Sequence, residues 1–149
     1  EKETILNIYR SHKPNIHLYD GVAEMIDELK NRGIKVGIIT DGRPEGQRNK
    51  LKALGLDIDE VIITDELGGT QFRKPCDIAF RIMTTRWRLN PADVVYVGDN
   101  AAKDFQACRQ LGMKNIWFKN EDGLYHRLDY VGLDIIEISK ITDLYELIR

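Results

Sequence analysis

The stretch Val94-Val95-Tyr96-Val97-Gly98-Asp99-Asn100 decides the fold. Its first four residues are β-branched or aromatic, the types that suit a pleated strand. They run without a polar interruption, which predicts a strand buried on both faces, as in a parallel sheet. Gly98-Asp99-Asn100 then ends the strand in a turn, where a short polar side chain can cap the following helix. Downstream, KDFQACRQLG (103–112) predicts that helix and NIWF (115–118) the next strand. A weaker pair follows in DIIEI (134–138) and TDLYELI (142–148).

Upstream the same alternation continues. Pro75 is placed at a helix start that leads into CDIAFRIMTTRWRL (76–89), preceded by the strand VIIT (61–64). RPEGQRNKLKALG (43–55) is a polar helix with a glycine stop, and IKVGIIT (34–40) is a further apolar strand. Val22, Met25, Ile26 and Leu29 recur at helical spacing before Gly33. Strands alternating with helices predict an α/β fold, a doubly wound and mostly parallel sheet in a three-layer αβα arrangement. The longest irregular stretches are 65–74 and 119–133, neither with the composition of a linker.

Composition agrees and narrows the function. The 149 residues are 42% hydrophobic and 31% charged, with 22 Lys+Arg against 24 Asp+Glu, an ordinary balance for one globular domain. A net charge of −2 argues against a nucleic-acid partner held by bulk positive field. No apolar run reaches membrane-spanning length, and the start EKETILNIYRSHKP has no signal-peptide pattern. Cys76 and Cys108 are too few for a disulfide framework and lack CxxC spacing. A cytoplasmic location is therefore expected.

Ligands of open α/β sheets bind beyond the carboxyl ends of the strands, so the residues after each strand carry the chemistry. Thr40-Asp41-Gly42 follows one strand; Asp99 and Asn100 follow another, with Asp104 five residues beyond Asp99; Lys74-Pro75 lies between. A threonine hydroxyl and the amides after it can donate to phosphate oxygens. Gly42 allows close backbone approach, Lys74 brings a mobile positive charge, and Asp99 is a hard oxygen ligand of the kind Mg²⁺ prefers. Singly, each piece also reads as an ordinary turn, a helix start or a cap. In this order at strand ends, they read as a site for a phosphoryl group and a metal.

The order IIT-D-G, K-P and VYVGDN-xxx-D resembles the second, third and fourth motifs of the haloacid dehalogenase superfamily of phosphohydrolases, in the subfamily with a small helical cap. The resemblance covers roughly residues 14–120. It implies residues 1–13 as a remnant of the cap and 14–149 as the α/β core. It implies that Thr40, with the amides of Asp41 and Gly42, binds the phosphoryl group, and that Lys74 neutralises its charge and orients the nucleophile. Asp99 and Asp104 are implied as the Mg²⁺ site, Asp104 also bracing the loop, with Arg43 and Asn100 as candidates for substrate contact. The substrate implied is a small phosphorylated metabolite.

One departure matters. The superfamily's first motif is a strand ending in DxDx[TV], whose first aspartate attacks phosphorus. The only DxD here, Asp57-Ile58-Asp59, precedes a strand. With Glu at position 1 rather than Met, the chain is expected to be a fragment or processed piece. By itself it is expected to be inactive or nearly so, its first core strand supplied by a longer polypeptide or a second copy. The alternative is a non-catalytic binding or regulatory module. A dinucleotide-binding domain is excluded, since no GxGxxG follows the first strand. His12, His17 and His126 lack the spacing of a metal motif, and His12 and His17 are expected at the surface, Trp87 and Trp117 in the core, and Gly68-Gly69-Thr70 in a loop that delivers Lys74.

Overall fold

The computed structural model describes residues 13–125 and 135–148, so the expected cap remnant lies almost wholly outside the described residues, as do His12 and His126. The described chain forms two compact units that divide between Arg73 and Lys74.

In the first unit, helix α1 spans Val22–Asn31 and buries Val22, Met25, Ile26 and Leu29. Glu24 in its first turn and Lys30 in its last complement the helix dipole. Strand β1 (Gly37–Thr40) follows, then helix α2 (Pro44–Leu54), with proline in its first turn and Gly55 closing it at φ 63°. Strand β2 (Glu60–Ile63) pairs in parallel with β1, Gly37 opposite Glu60 and Thr40 opposite Ile63.

In the second unit, helix α3 spans Ile78–Trp87, strand β3 Val95–Gly98, helix α4 Phe105–Gln110 and strand β4 Lys114–Phe118. Strand β5 (Ile136–Ile138) and a short helix α5 (Leu144–Leu147) complete it. β4 lies between β3 and β5, parallel to both. Trp117, Phe105 and Ala101 form a fully buried cluster against which Tyr96 and Ile135 pack.

The alternation and the parallel pairing are as the sequence predicts, with four local corrections. The run 34–40 forms a strand only over Gly37–Thr40, and both β1 and β3 are half-buried rather than buried. Among the described residues each is paired on one side only, which leaves its outer edge unpaired. Pro75 does not open a helix: it follows a cis peptide after Lys74, and α3 begins three residues later at Ile78. The stretch 65–74 is not irregular but folds into two 3-10 turns, Thr64–Leu67 and Thr70–Phe72. The bidentate pair of Arg73 with Asp65, both contacts at 2.7 Å, bridges the two turns. Trp87 is half-buried at the end of α3, whereas Trp117 is buried as expected.

Candidate active site

In the first unit the site is the loop after β1. Thr40 donates its hydroxyl hydrogen bond to Gln47 Oε1 on α2 at 2.9 Å. Gly42 has φ +135°, a region that L side chains rarely adopt, and an added Cβ would meet Gln47 Nε2 at 2.6 Å. The Gln47 amide therefore lies over the bare Gly42 Cα and holds the Thr40 rotamer. Asp41 turns its carboxylate to Thr64, whose buried hydroxyl donates to Asp41 Oδ1 at 3.0 Å. The Gly42 amide is directed at the Asp65 carboxylate, so this amide, expected on a phosphoryl oxygen, is committed within the loop. Arg73 holds the Asp65 carboxyl below its ordinary value by hydrogen bonding, with smaller contributions from the Gly42 amide and the charge of Arg43. Arg43 is exposed at the start of α2.

In the second unit the site is built at the carboxyl end of β3. The Lys74 side chain is 10% exposed and that of Asp104 3%, with Nζ 2.8 Å from Asp104 Oδ1. A lysine and a carboxylate this buried are found almost only as a pair. The ammonium also donates to the Tyr96 hydroxyl at 2.9 Å. Asp104 Oδ2 accepts the Asn100 amide at 2.9 Å and closes the loop 98–104 on itself. Gly98 makes room for this, since an added Cβ would lie 2.6 Å from Asp104 Oδ2. Trp117 Nε1 donates to the Asp99 carbonyl at 3.1 Å, so the buried indole fixes the backbone that carries the exposed Asp99 side chain.

These contacts sort the expected residues. Asp99 and Asp104 share one loop of the second unit, where the Lys74 side chain reaches Asp104, and Thr40, Asp41 and Gly42 share one loop of the first. Asn100 is buried, and its Oδ1 accepts the Ala102 amide at 3.2 Å. Its side-chain oxygen therefore helps to shape the loop. Asp57 and Asp59 have structural work: the first pairs with Lys30, and the second accepts the Val36 amide at 2.7 Å. Cys108 is fully buried, and its thiol is pushed up to about 12, mainly by burial.

The donor chemistry suits magnesium. Mg²⁺ takes hard oxygens, commonly one or two carboxylates completed by water and substrate phosphate. Asp99 offers an exposed carboxylate, while the buried Asp104 Oδ1 is engaged by Lys74 Nζ at 2.8 Å. No group of three His, Cys, Asp or Glu gathers as a complete cage among the described residues.

Sequence reasoning passed over Gln47, Thr64, Asp65, Arg73 and Tyr96. Thr64 and Asp65 were within reach, because they stand at the carboxyl end of β2 as Thr40 does at the end of β1. Gln47 and Tyr96 carry no such signal, reading as a polar helix residue and a strand aromatic.

A family model described as haloacid dehalogenase-like hydrolase matches residues 1–118. Among curated proteins, the chain is 32% identical over 133 residues to a glyceraldehyde 3-phosphate phosphatase of Pyrococcus furiosus, covering 85% of this chain and 53% of that protein. It is 31% identical over 102 residues to a phosphoserine phosphatase of Thermus thermophilus, covering 67% of this chain and 40% of that one. The chain thus spans about half the length of the relatives it matches. Among solved structures, a HAD phosphatase from Thermococcus onnurineus superposes with a TM-score of 0.74 at 26% identity, covering 99% of this chain and 64% of that one. A 2-haloacid dehalogenase from Pseudomonas syringae shares the fold, with a TM-score of 0.77 at 21% identity over 98% of this chain and 59% of its own.

Proposed function

The chain belongs to the haloacid dehalogenase-like hydrolase family, and from that premise we propose that it contributes the phosphoryl-binding part of a cytoplasmic, Mg²⁺-dependent phosphatase acting on a small phosphorylated metabolite. The observation that carries this reading is the buried Lys74 ammonium, kept between Asp104 and Tyr96 beside the strand end that bears Asp99. Burial of the Lys74 charge is offset by Asp104, and a dianionic phosphoryl group is a further partner that such an ammonium suits.

In this reading Thr40 turns its hydroxyl from Gln47 to a phosphoryl oxygen, and the Asp41 amide donates to another. Lys74 neutralises charge as it builds on the phosphoryl group, and the exposed Arg43 meets the rest of the substrate. Asp99 holds the magnesium ion with Asp104 behind it, and the ion, when bound, offsets the negative charge of the phosphoryl oxygens. Hydrolysis by the covalent route forms a bond from an aspartate oxygen to phosphorus as the ester P–O bond breaks, the leaving alkoxide taking a proton from water to depart as the alcohol. Water then cleaves the aspartyl phosphate to carboxylate and inorganic phosphate. In this reading the attacking aspartate is neither member of the one DxD, which precedes β2 with Asp57 in a surface ion pair with Lys30 and Asp59 accepting the Val36 amide. A longer polypeptide or a second copy supplies it.

The second reading is a module that binds phosphate without turning it over. Phosphate release from a panel of small phosphate esters separates the two. The full-length protein is expected to release phosphate with Mg²⁺ and to lose that activity with EDTA or on Lys74→Ala, while residues 1–149 alone stay inactive. Tight phosphate binding by the full-length protein with no turnover of any ester would overturn the enzyme reading in favour of the module.

A further inference from the structure

Tyr96 lies in the middle of β3 with its ring gripped between two aromatic side chains. The Phe80 ring meets it edge-on at 5.0 Å and 83°, and Phe105 at 6.4 Å and 70°. Phe80 and Phe105 are themselves buried, at 2% and 0% exposure, so the ring is set by packing. Packing alone would be served equally by phenylalanine at this position. What the tyrosine adds is one oxygen, delivered to a single place, 2.9 Å from Lys74 Nζ. The same ammonium lies 2.8 Å from Asp104 Oδ1 and 5.6 Å from the centre of the Tyr96 ring.

Lysine is a point charge on a flexible stem with several rotatable bonds. The ion pair with Asp104 Oδ1 at 2.8 Å supplies the opposite charge. The Tyr96 hydroxyl adds a second, neutral acceptor whose place is set by the packed ring. We propose that Tyr96 is the positioning residue of Lys74: its hydroxyl, aimed by the Phe80–Phe105 clamp, fixes where the ammonium points and so how well it meets a phosphoryl group. This deepens the phosphatase reading and rests on it. Placement matters at this scale, since a misplacement of about 1 Å costs about a hundredfold in a well-oriented reaction.

The test is the affinity of the full-length protein for orthovanadate in the presence of Mg²⁺, measured by calorimetry for the wild type, Tyr96→Phe, Lys74→Ala and the double variant. Tyr96→Phe keeps the ring and its clamp, so its Tm is expected to stay within about 2 °C of the wild type. Its vanadate affinity is expected to fall about tenfold, the scale of one lost hydrogen bond to a charged group. Because Tyr96 acts through Lys74, the double variant is expected to bind no more weakly than Lys74→Ala alone. An unchanged affinity in Tyr96→Phe overturns the proposal, as does a further loss in the double variant or a loss that tracks a fall in Tm. A wild type that binds no vanadate overturns the phosphate-site reading itself and this proposal with it, a result distinct from a wild type that binds and a variant that binds equally well.

Discussion

Alanine at position 98 is expected to unfasten the loop that carries Asp99 and Asp104. An ideal Cβ on Gly98 would lie 2.6 Å from Asp104 Oδ2, 2.9 Å from its Cβ and 3.0 Å from its Cγ. Carbon contacts settle at about 3.5–4.0 Å, so Asp104 must withdraw by several tenths of an ångström or more. Rotation of its side chain gives little relief, because the 2.9 Å clash is with the Cβ attached directly to the backbone. Withdrawal weakens the hydrogen bond from the Asn100 amide and the ion pair with Lys74, both buried. Overpacking costs about 1–3 kcal/mol, and a hydrogen bond to a charged group is worth about 1.5–3 kcal/mol. The loss of unfolded-chain freedom on going from Gly to Ala returns about 0.4–1 kcal/mol. The net expectation for Gly98→Ala is a destabilisation of about 2–3 kcal/mol, a fall in Tm of about 4–12 °C for a chain of this size. Gly46 is the internal control, since an added Cβ there meets nothing within 4 Å. It lies inside α2, so Gly46→Ala is expected to stabilise by about 0.5–1 kcal/mol. Urea denaturation of the two variants beside the wild type measures both. A Gly98→Ala protein as stable as the wild type would refute the packing of Asp104 on the bare Cα.

Three further outcomes follow from the same geometry. Lys74→Met leaves the Asp104 charge buried without its partner and is expected to cost about 3–5 kcal/mol, only part of it recovered in Lys74→Met/Asp104→Leu, which also removes the acceptor of the Asn100 amide; equal stabilities for the single and double variants in urea would contradict this. A maleimide reagent is expected to modify Cys76 in the native protein and Cys108 only on unfolding, given a fully buried Cys108 thiol raised to about 12, and mass spectrometry of the labelled peptides decides. Asp65 is held below its ordinary value in the folded state, chiefly by Arg73, so its contribution is present above the unfolded value of about 4 and is lost as pH falls through the lower native value. Asp65→Asn is therefore expected to lose less stability than the wild type between about pH 5 and the acid limit; parallel acid-unfolding curves would exclude that linkage.

The order of elements was legible in the sequence because it rests on local signals. The period of Val22, Met25, Ile26 and Leu29 and the pairing of Pro44 with Gly55 are set within a few residues of chain. So is the apolar run 94–97, and none of them depends on what packs nearby. The rule that ligands meet an α/β sheet at its strand ends brought Thr40, Asp99 and Asp104 into view on the same terms. Local signals failed where burial or a side-chain contact that the residue types do not announce settled the matter. Asn100 reads as a polar residue at a loop tip, yet the fold buries it and turns its side-chain oxygen inward to Ala102. The stretch 65–74 reads as irregular because nothing nearby announces that Arg73 closes back on Asp65.

What the sequence by itself determined is which residues end which strands, and hence which side chains reach the face where chemistry takes place. What only the tertiary structure decided is what each of those side chains rests against. Tyr96 shows the difference: its strand propensity is a property of the residue, but its hydroxyl acquires a purpose only where Phe80 and Phe105, 16 residues before and nine after, fix the ring beside Lys74. The backbone's preferences are short in range, whereas the placement of a buried charge depends on every group that replaces its water, and those come from along the whole chain.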